Sequence, residues 1–272
     1  MNGEKVSVIM AVYNAEDTLR ECLDSIIGQT YTNWQFIICD DCSTDGTAEL
    51  LSQYQSRYPE KFVLLRNEKN MHLPYSLNRC IEHSDGLYIA RMDADDKSTP
   101  DRFEKQIRFL QEHSEFDLVG TAMRRFEGDQ EADIVYKPEK VDRYYMRKDV
   151  PFNHATIMTY LRVYRDLNGY TVSERTVRGQ DYDLWFRFFH AGFSGYNLQE
   201  PLYLVREDMN AIKRRTFRVR WNTFKTTRFG FNLLGFPKRW LIKPFFTVIF
   251  KSLVPYRLIY FYRGLQKRKT QS

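Results

Sequence analysis

Val6-Ser7-Val8-Ile9-Met10-Ala11-Val12 is almost wholly apolar and rich in β-branched residues. A strand with that pattern is buried on both faces, the signature of a parallel sheet covered by helices. Tyr13-Asn14 ends the run, and Ala15–Gln29 then carries Leu19, Cys22, Leu23, Ile26 and Ile27 at helical spacing. Asn14 is the expected N-cap of that helix. The alternation continues along the chain. Trp34–Cys39 reads as a strand, Thr47–Tyr58 as a helix, Phe62–Arg66 as a strand and Pro74–His83 as a helix. Leu87–Met92 follows as a strand and Pro100–His113 as a helix with Phe103, Ile107 and Leu110 on one face. Such alternation predicts an α/β fold with a Rossmann-like, mostly parallel central sheet flanked by helices.

Beyond residue 115 the pattern loosens. Asp117–Thr121 reads as a further strand, Asp129–Val141 as a polar loop, and Asp183–Phe189 as the start of a helix ending near Gly192, with Asp183 as its N-cap. We divide the chain into residues 1–115, residues 116–205 and a tail of residues 206–272. Of 272 residues, 43% are hydrophobic and 28% charged, which excludes a disordered, collagen-like or disulfide-stapled chain. The net charge of +6 conceals an asymmetry: residues 206–272 hold 17 of the 41 Lys+Arg but 2 of the 35 Asp+Glu, and no acidic residue follows Asp208. The body is acidic and the tail basic. Cys39 and Cys42 have C-x-x-C spacing, but no second ligand pair follows, so reduced, buried thiols are expected for all four cysteines. No leader-like segment opens the sequence and no apolar run reaches 18 residues.

The strand ends carry the chemistry. Asp93, Asp95 and Asp96 crowd three carboxylates into four residues after the Leu87–Met92 strand. Like charges this close call for a cation, and Mg²⁺ or Mn²⁺ would use one or two carboxylates and leave positions for phosphate oxygens. An acidic turn that caps the next helix is the plain alternative. Asp40, Asp41 and Asp45 end the second strand, where a carboxylate can accept hydrogen bonds from a nucleobase or ribose, or simply build a turn. Open α/β sheets bind ligands at this edge. Neither G-x-G-x-x-G nor a P-loop occurs. In Gly179-Gln180-Asp181-Tyr182-Asp183-Leu184-Trp185, Asp181 is a candidate general base if it faces a cleft.

Taken together, VSVIMAVYN (Val6–Asn14), SIIGQT (Ser25–Thr30), FIICDDCSTDGT (Phe36–Thr47), DADD (Asp93–Asp96) and QDYDLW (Gln180–Trp185) resemble the family 2 glycosyltransferases of GT-A fold, in order and spacing, over about 200 residues. The resemblance divides the body into a nucleotide-sugar-binding half (1–115) and an acceptor-binding half (116–205). It implies inverting transfer of a sugar from a nucleoside diphosphate donor, most often a UDP-sugar, to an acceptor hydroxyl. Ala11 and Tyr13 would line the nucleotide pocket, Asp41 would bind the base, Asp93 or Asp95 the ribose, and Asp95 or Asp96 the divalent metal. Asp181 matches the catalytic base. Gln180 stands where the family usually has Glu, and Cys42 where it most often has Gly, which implies a modest change of turn geometry. His154, on an expected strand edge, and Trp185 are possible substrate contacts.

The tail departs from the resemblance. Pro244–Val254 reads as a helix with Lys243, Thr247 and Lys251 as one polar stripe and Phe245, Phe246, Val248, Ile249, Phe250 and Leu253 around the rest. Eleven residues make about 16 Å, too short to span a bilayer. Arg214, Arg215, Arg218, Arg220 and Lys267-Arg268-Lys269 add positive charge. The pattern fits a helix lying on an anionic membrane, with packing against the body as the alternative. Nothing supports nucleic-acid binding. The expected protein is therefore a metal-dependent glycosyltransferase, cytoplasmic and peripheral on the inner face of the cell membrane, building a surface polysaccharide (lipopolysaccharide included) or glycolipid on a glycan or lipid-linked acceptor. Its rivals are a nucleotidyltransferase making a nucleotide sugar and a non-catalytic sugar-nucleotide-binding scaffold.

Overall fold

A computed structural model describes residues 3–128, 130–207 and 216–253, without the side chains of residues 131 and 253. The first half is a strand–helix alternation: β1 (Val6–Val12), α1 (Glu16–Ile27), β2 (Trp34–Asp40), α2 (Thr47–Arg57), β3 (Phe62–Arg66), α3 (Leu73–Glu82), β4 (Tyr88–Arg91), the short β5 (Lys97–Ser98) and α4 (Arg102–Glu112). β3, β2, β1 and β4 lie side by side in that order, all parallel. The chain steps outward from β1 to β2 and β3, then returns to place β4 on the other side of β1. The order therefore reverses at β1, and the crevice between β1 and β4 at their C-terminal ends is where such sheets take ligands.

The second half extends the sheet with mixed pairing. β6 (Leu118–Glu127), β7 (Gln130–Val135), β8 (Met158–Tyr160) and β9 (Gly195–Arg206) complete nine strands. β8 runs antiparallel to both β4 and β6, while β9 runs parallel to β6 and antiparallel to β5. α5 (Leu161–Asp166) and α6 (Gln180–His190) pack beneath, followed by α7 (Phe217–Leu233) and α8 (Ile242–Leu253).

Side-chain alternation in β1 builds both layers of the core. Val6, Val8, Met10 and Val12 join α1, α2 and α4 through Leu23, Leu51 and Phe103. Ile9 faces the other way and joins Leu77, Tyr164, Trp185 and Phe188 from α3, α5 and α6. Both sets are buried, as a strand apolar on two faces requires.

Several sequence expectations shift. Asn14 is not an N-cap: Ala15 occupies that place, and Asn14 sits at φ 51° with its Oδ1 accepting the Thr44 N–H. Residues 129–141 are not all loop, because β7 pairs with β6 as a hairpin. Helix α7 lies outside the sequence expectations: its aromatics alternate with Arg, Thr and Lys, so no clean apolar stripe marks it. Cys42 adopts φ 66°, the left-handed conformation glycine favours, so the cysteine bears backbone strain there. All four cysteines are free, and burial raises Cys39 to about 11.

Candidate active site

The end of β4 and the carboxylates after it are fastened by neighbouring elements. α1 reaches them first: Thr18 Oγ1 donates to the Ala94 carbonyl at 3.1 Å and Cys22 Sγ to that of Asp93 at 3.2 Å. Tyr203 of β9 accepts the Asp93 N–H at 3.1 Å, and Arg206 Nε donates to the Asp95 carbonyl at 3.0 Å. Ile9 pairs with Arg91, and Met92 N–H donates to the Ile9 carbonyl at 3.1 Å. The turn thus emerges directly beside the end of β1, where Ala11 is half-buried and the Tyr13 ring is exposed.

The three carboxylates separate into different environments. Asp95 is exposed. Asp93 is half-buried and meets Arg91 Nη2 at 2.5 Å. Asp96 turns inward, only 3% exposed, and its Oδ1 accepts the Arg206 N–H at 2.8 Å. Burial, then the Asp93 and Asp95 carboxylates, push Asp96 up to about 8. Asp96 therefore clamps the end of β9 through one of its oxygens. Among the described residues no group of three His, Cys, Asp or Glu side chains that could hold a metal occurs. A hard cation that shares its shell with water and substrate phosphates needs only one or two carboxylates, and Asp95 with Asp93 beside it fits that demand.

Asp41 is placed at the end of β2 as expected, but its oxygens are largely taken. Oδ1 accepts from Asn67 Nδ2 at 2.6 Å and Met71 N–H at 2.8 Å, and Oδ2 from His72 N–H at 2.8 Å. The residue is nearly fully buried. It ties the loop after β3 to the strand end, and at most one lone pair on Oδ2 is left for a base.

Asp181 comes from the other half of the molecule, on the first turn of α6. Gly179, at φ 89°, turns the chain into the helix without a side-chain cap. Asp183 is not the N-cap. It lies further into the helix, fully buried, between Arg175 Nη1 at 2.5 Å and Arg187 Nε at 2.9 Å, with Thr171 Oγ1 donating at 2.6 Å. This ion-pair knot binds the 171–176 segment to α6 and fixes the turn that carries Asp181. Burial raises the Asp181 pKa; hydrogen bonds from backbone N–H groups and the positive charge of Arg91 oppose the rise, and Asp93 adds to it. The α6 carboxylate and the strand-end carboxylates sit on elements that meet: Trp185 of α6 lies edge-on to His154, and Ile157, three residues on, accepts the Arg91 N–H at 3.1 Å.

Arg91 is a buried cation beside these carboxylates that the sequence does not single out. It is buried beneath the turn, donates to the Met92 carbonyl and to Asp93, and its field also reaches His154 and Tyr170. Its place at the end of an apolar strand, a cation where a buried strand is otherwise apolar, is the available signal. His154 lies in a 3-10 turn (His154–Thr156) that leads to β8, not on a strand edge. Its Nε2 meets Tyr170 Oη at 2.8 Å, and burial followed by the Arg91 charge pushes its pKa well below the usual range, so the ring is neutral. Trp185 is fully buried, edge-on to Phe152, His154 and Phe188, and has no face open to a sugar.

A parallel sheet whose strand order reverses at β1, with carboxylates after β4 and helices on both faces, matches the GT-A fold of glycosyltransferases. The family model for "Glycosyl transferase family 2" matches residues 7–167, and the chain belongs to that family. EpsE of Bacillus subtilis (strain 168), which bears a glycosyltransferase name, is 50% identical over 218 residues, covering 79% of this chain and 78% of its own. Among solved structures, S. aureus TarS 1-349 in complex with UDP-GlcNAc superposes with a TM-score of 0.69 at 18% identity, over 84% of this chain and 66% of that one. Mannosyltransferase PcManGT from Pyrobaculum calidifontis, in complex with GDP-Man and Mn²⁺, gives 0.65 at 15% identity, over 97% and 80%. At those identities the two structures establish the fold.

Proposed function

We propose that this glycosyltransferase transfers a sugar from a nucleoside diphosphate donor, a UDP-sugar first, to an acceptor hydroxyl with inversion at the anomeric carbon. The observation that carries the reading is that α6, with Asp181 in its first turn, packs through Trp185 on His154 of the segment whose Ile157 pairs with Arg91, next to the Asp93–Asp95 turn. The nucleotide lies along the crevice beside Ala11 and Tyr13, with its base toward the Asp41 loop and its ribose and diphosphate toward Asp93 and Asp95. The UDP-GlcNAc bound by TarS supports a uridine nucleotide, and the GDP-Man bound by PcManGT names the alternative to test.

Asp95, with Asp93, would hold a divalent cation, Mn²⁺ or Mg²⁺, which when bound supplies Lewis-acid stabilisation of charge on the leaving diphosphate. The remaining work falls to the protein. Asp181 accepts the proton of the acceptor hydroxyl as its oxygen attacks the anomeric carbon from the side opposite the diphosphate. A single displacement inverts that centre and needs no protein nucleophile. Because burial raises the Asp181 pKa above the ordinary 3.8, activity falls on acidification through a limb above that value.

The C-terminal helices bear on where the enzyme works. α8 leaves Ile242, Phe245, Phe246 and Phe250 exposed, with Lys243 and Lys251 exposed beside them. Val248 instead turns in and is buried. α7 widens the surface, as Trp221 and Phe224 meet the Phe245 ring at 6.4 and 5.6 Å. No helix among the described residues is long and apolar enough to cross a membrane. An aromatic and basic surface of this kind fits peripheral attachment to an anionic membrane, on the inner face, next to a lipid-linked acceptor of a surface polysaccharide or glycolipid. The basic residues Arg214, Arg215 and Lys267–Lys269 lie outside the described residues.

Incubation with UDP-sugars and lipid-linked acceptors, with and without EDTA, tests the reaction. The expected product carries the anomeric configuration opposite to the donor's, by NMR coupling constants, and EDTA abolishes its formation. Retention of configuration, or full activity in EDTA, contradicts the mechanism.

A further inference from the structure

Four non-glycine residues have positive φ among the described residues, and three of them border the nucleotide corner: Asn14 (51°) after β1, Cys42 (66°) after β2 and His72 (68°) between β3 and α3. Asn enters the left-handed region at little cost. His72 is a different case. Its ψ of 162° puts it in a region populated almost only by glycine, at about 1–3 kcal/mol for any other residue. The Asp41 carboxylate holds it there, through the His72 N–H at 2.8 Å. A glycine would make the same backbone bond without strain. The imidazole is exposed, and no hydrogen bond, ion pair or ring contact joins it to the other described residues. The fold therefore gains nothing visible from this side chain and carries the strain of having it. Strain retained beside a ligand pocket points to a role toward the ligand.

We infer that His72 packs against the nucleobase of the donor, beside the Asp41 carboxylate, and sets base preference. The inference rests on the nucleotide-sugar reading above. The imidazole has the chemistry for this role, since a flat ring with one hydrogen-bond donor and one acceptor can cover a base face and meet its edge. It also complements Asp41, whose three protein hydrogen bonds leave it little capacity to read a base alone.

The test is calorimetric titration with UDP and Mn²⁺ of the wild type, His72→Gly, His72→Ala and Cys42→Gly, with Mn²⁺–pyrophosphate as a probe that lacks the base. His72→Gly should raise Tm yet weaken UDP binding about tenfold, which equals about 1.4 kcal/mol, and leave pyrophosphate binding unchanged. His72→Ala, which keeps the strained backbone, should lose UDP affinity to the same extent. Cys42→Gly should raise Tm with UDP binding intact, separating relief of strain from loss of a contact. A more stable His72→Gly that binds UDP within twofold of wild type overturns the role of His72 alone. A wild type that binds neither UDP nor GDP overturns the donor reading, and this inference with it.

Discussion

The two halves of the site hold their carboxylates by different means. In the first half, Asp41 and the Asp93–Asp96 turn are held by many separate hydrogen bonds spread over several elements: the N–H groups of Met71, His72 and Arg206, and the side chains of Asn67, Thr18, Cys22, Tyr203 and Arg206. In the second half, Asp181 rides on a helix turn secured by one ion-pair cluster, the Arg175–Asp183–Arg187 knot. A turn held by many separate bonds tolerates the loss of one. The knot depends on a few charged residues and fails when one is removed.

That contrast makes the Asp183 knot the more fragile point. Asp183→Ala leaves two partly buried guanidinium groups without their carboxylate, and removal of one partner of a buried pair costs about 3–5 kcal/mol. Urea denaturation followed by circular dichroism should show that loss, whereas Asp96→Asn, which keeps an acceptor for the Arg206 N–H, should cost less. Equal losses would erase the distinction between the halves.

The exposed surface of α8 offers a smaller effect. Phe246→Ser with Phe250→Ser removes two rings that are 50% and 65% exposed and therefore cost the fold little. Each buried Phe contributes about 1.5–3 kcal/mol to partition, so flotation with vesicles containing phosphatidylglycerol should lose most of the bound fraction while Tm holds. Unchanged flotation would remove this surface from the membrane proposal. Smallest is Cys42→Gly, expected to stabilise by about 1 kcal/mol through relief of a left-handed residue; a lower Tm would mean that the thiol contributes more through its contact with the Glu68 carbonyl, at 3.5 Å, than the backbone loses.

The same contrast explains what is legible in the sequence. Strands apolar on both faces, with Asp41 and Asp93–Asp96 directly after them, are local patterns, and the fold and the donor edge follow from them. That Asp96 is buried while Asp95 is exposed depends on how the turn meets β9, more than 100 residues away, and is not a local property. Asp183 reads as a cap from its place before an apolar run, while its ion pairs need the i,i+4 partner Arg187 and also Arg175, which comes from a separate segment. Trp185 shows its aromatic character in the sequence but not its direction, which α6 sets by packing it against Phe152. α7 is hidden because basic and aromatic residues alternate where one face meets α6 and the other meets α8.

The division of labour between the halves is tested most directly by one variant, Asp181→Asn, measured twice on the same preparation. General-base catalysis contributes roughly 10²–10⁴-fold, so sugar transfer should fall by at least 10² while the calorimetric Kd for UDP with Mn²⁺ stays within about twofold. Equal loss of binding and transfer, or transfer that survives the substitution, would contradict the assignment of Asp181 as the base.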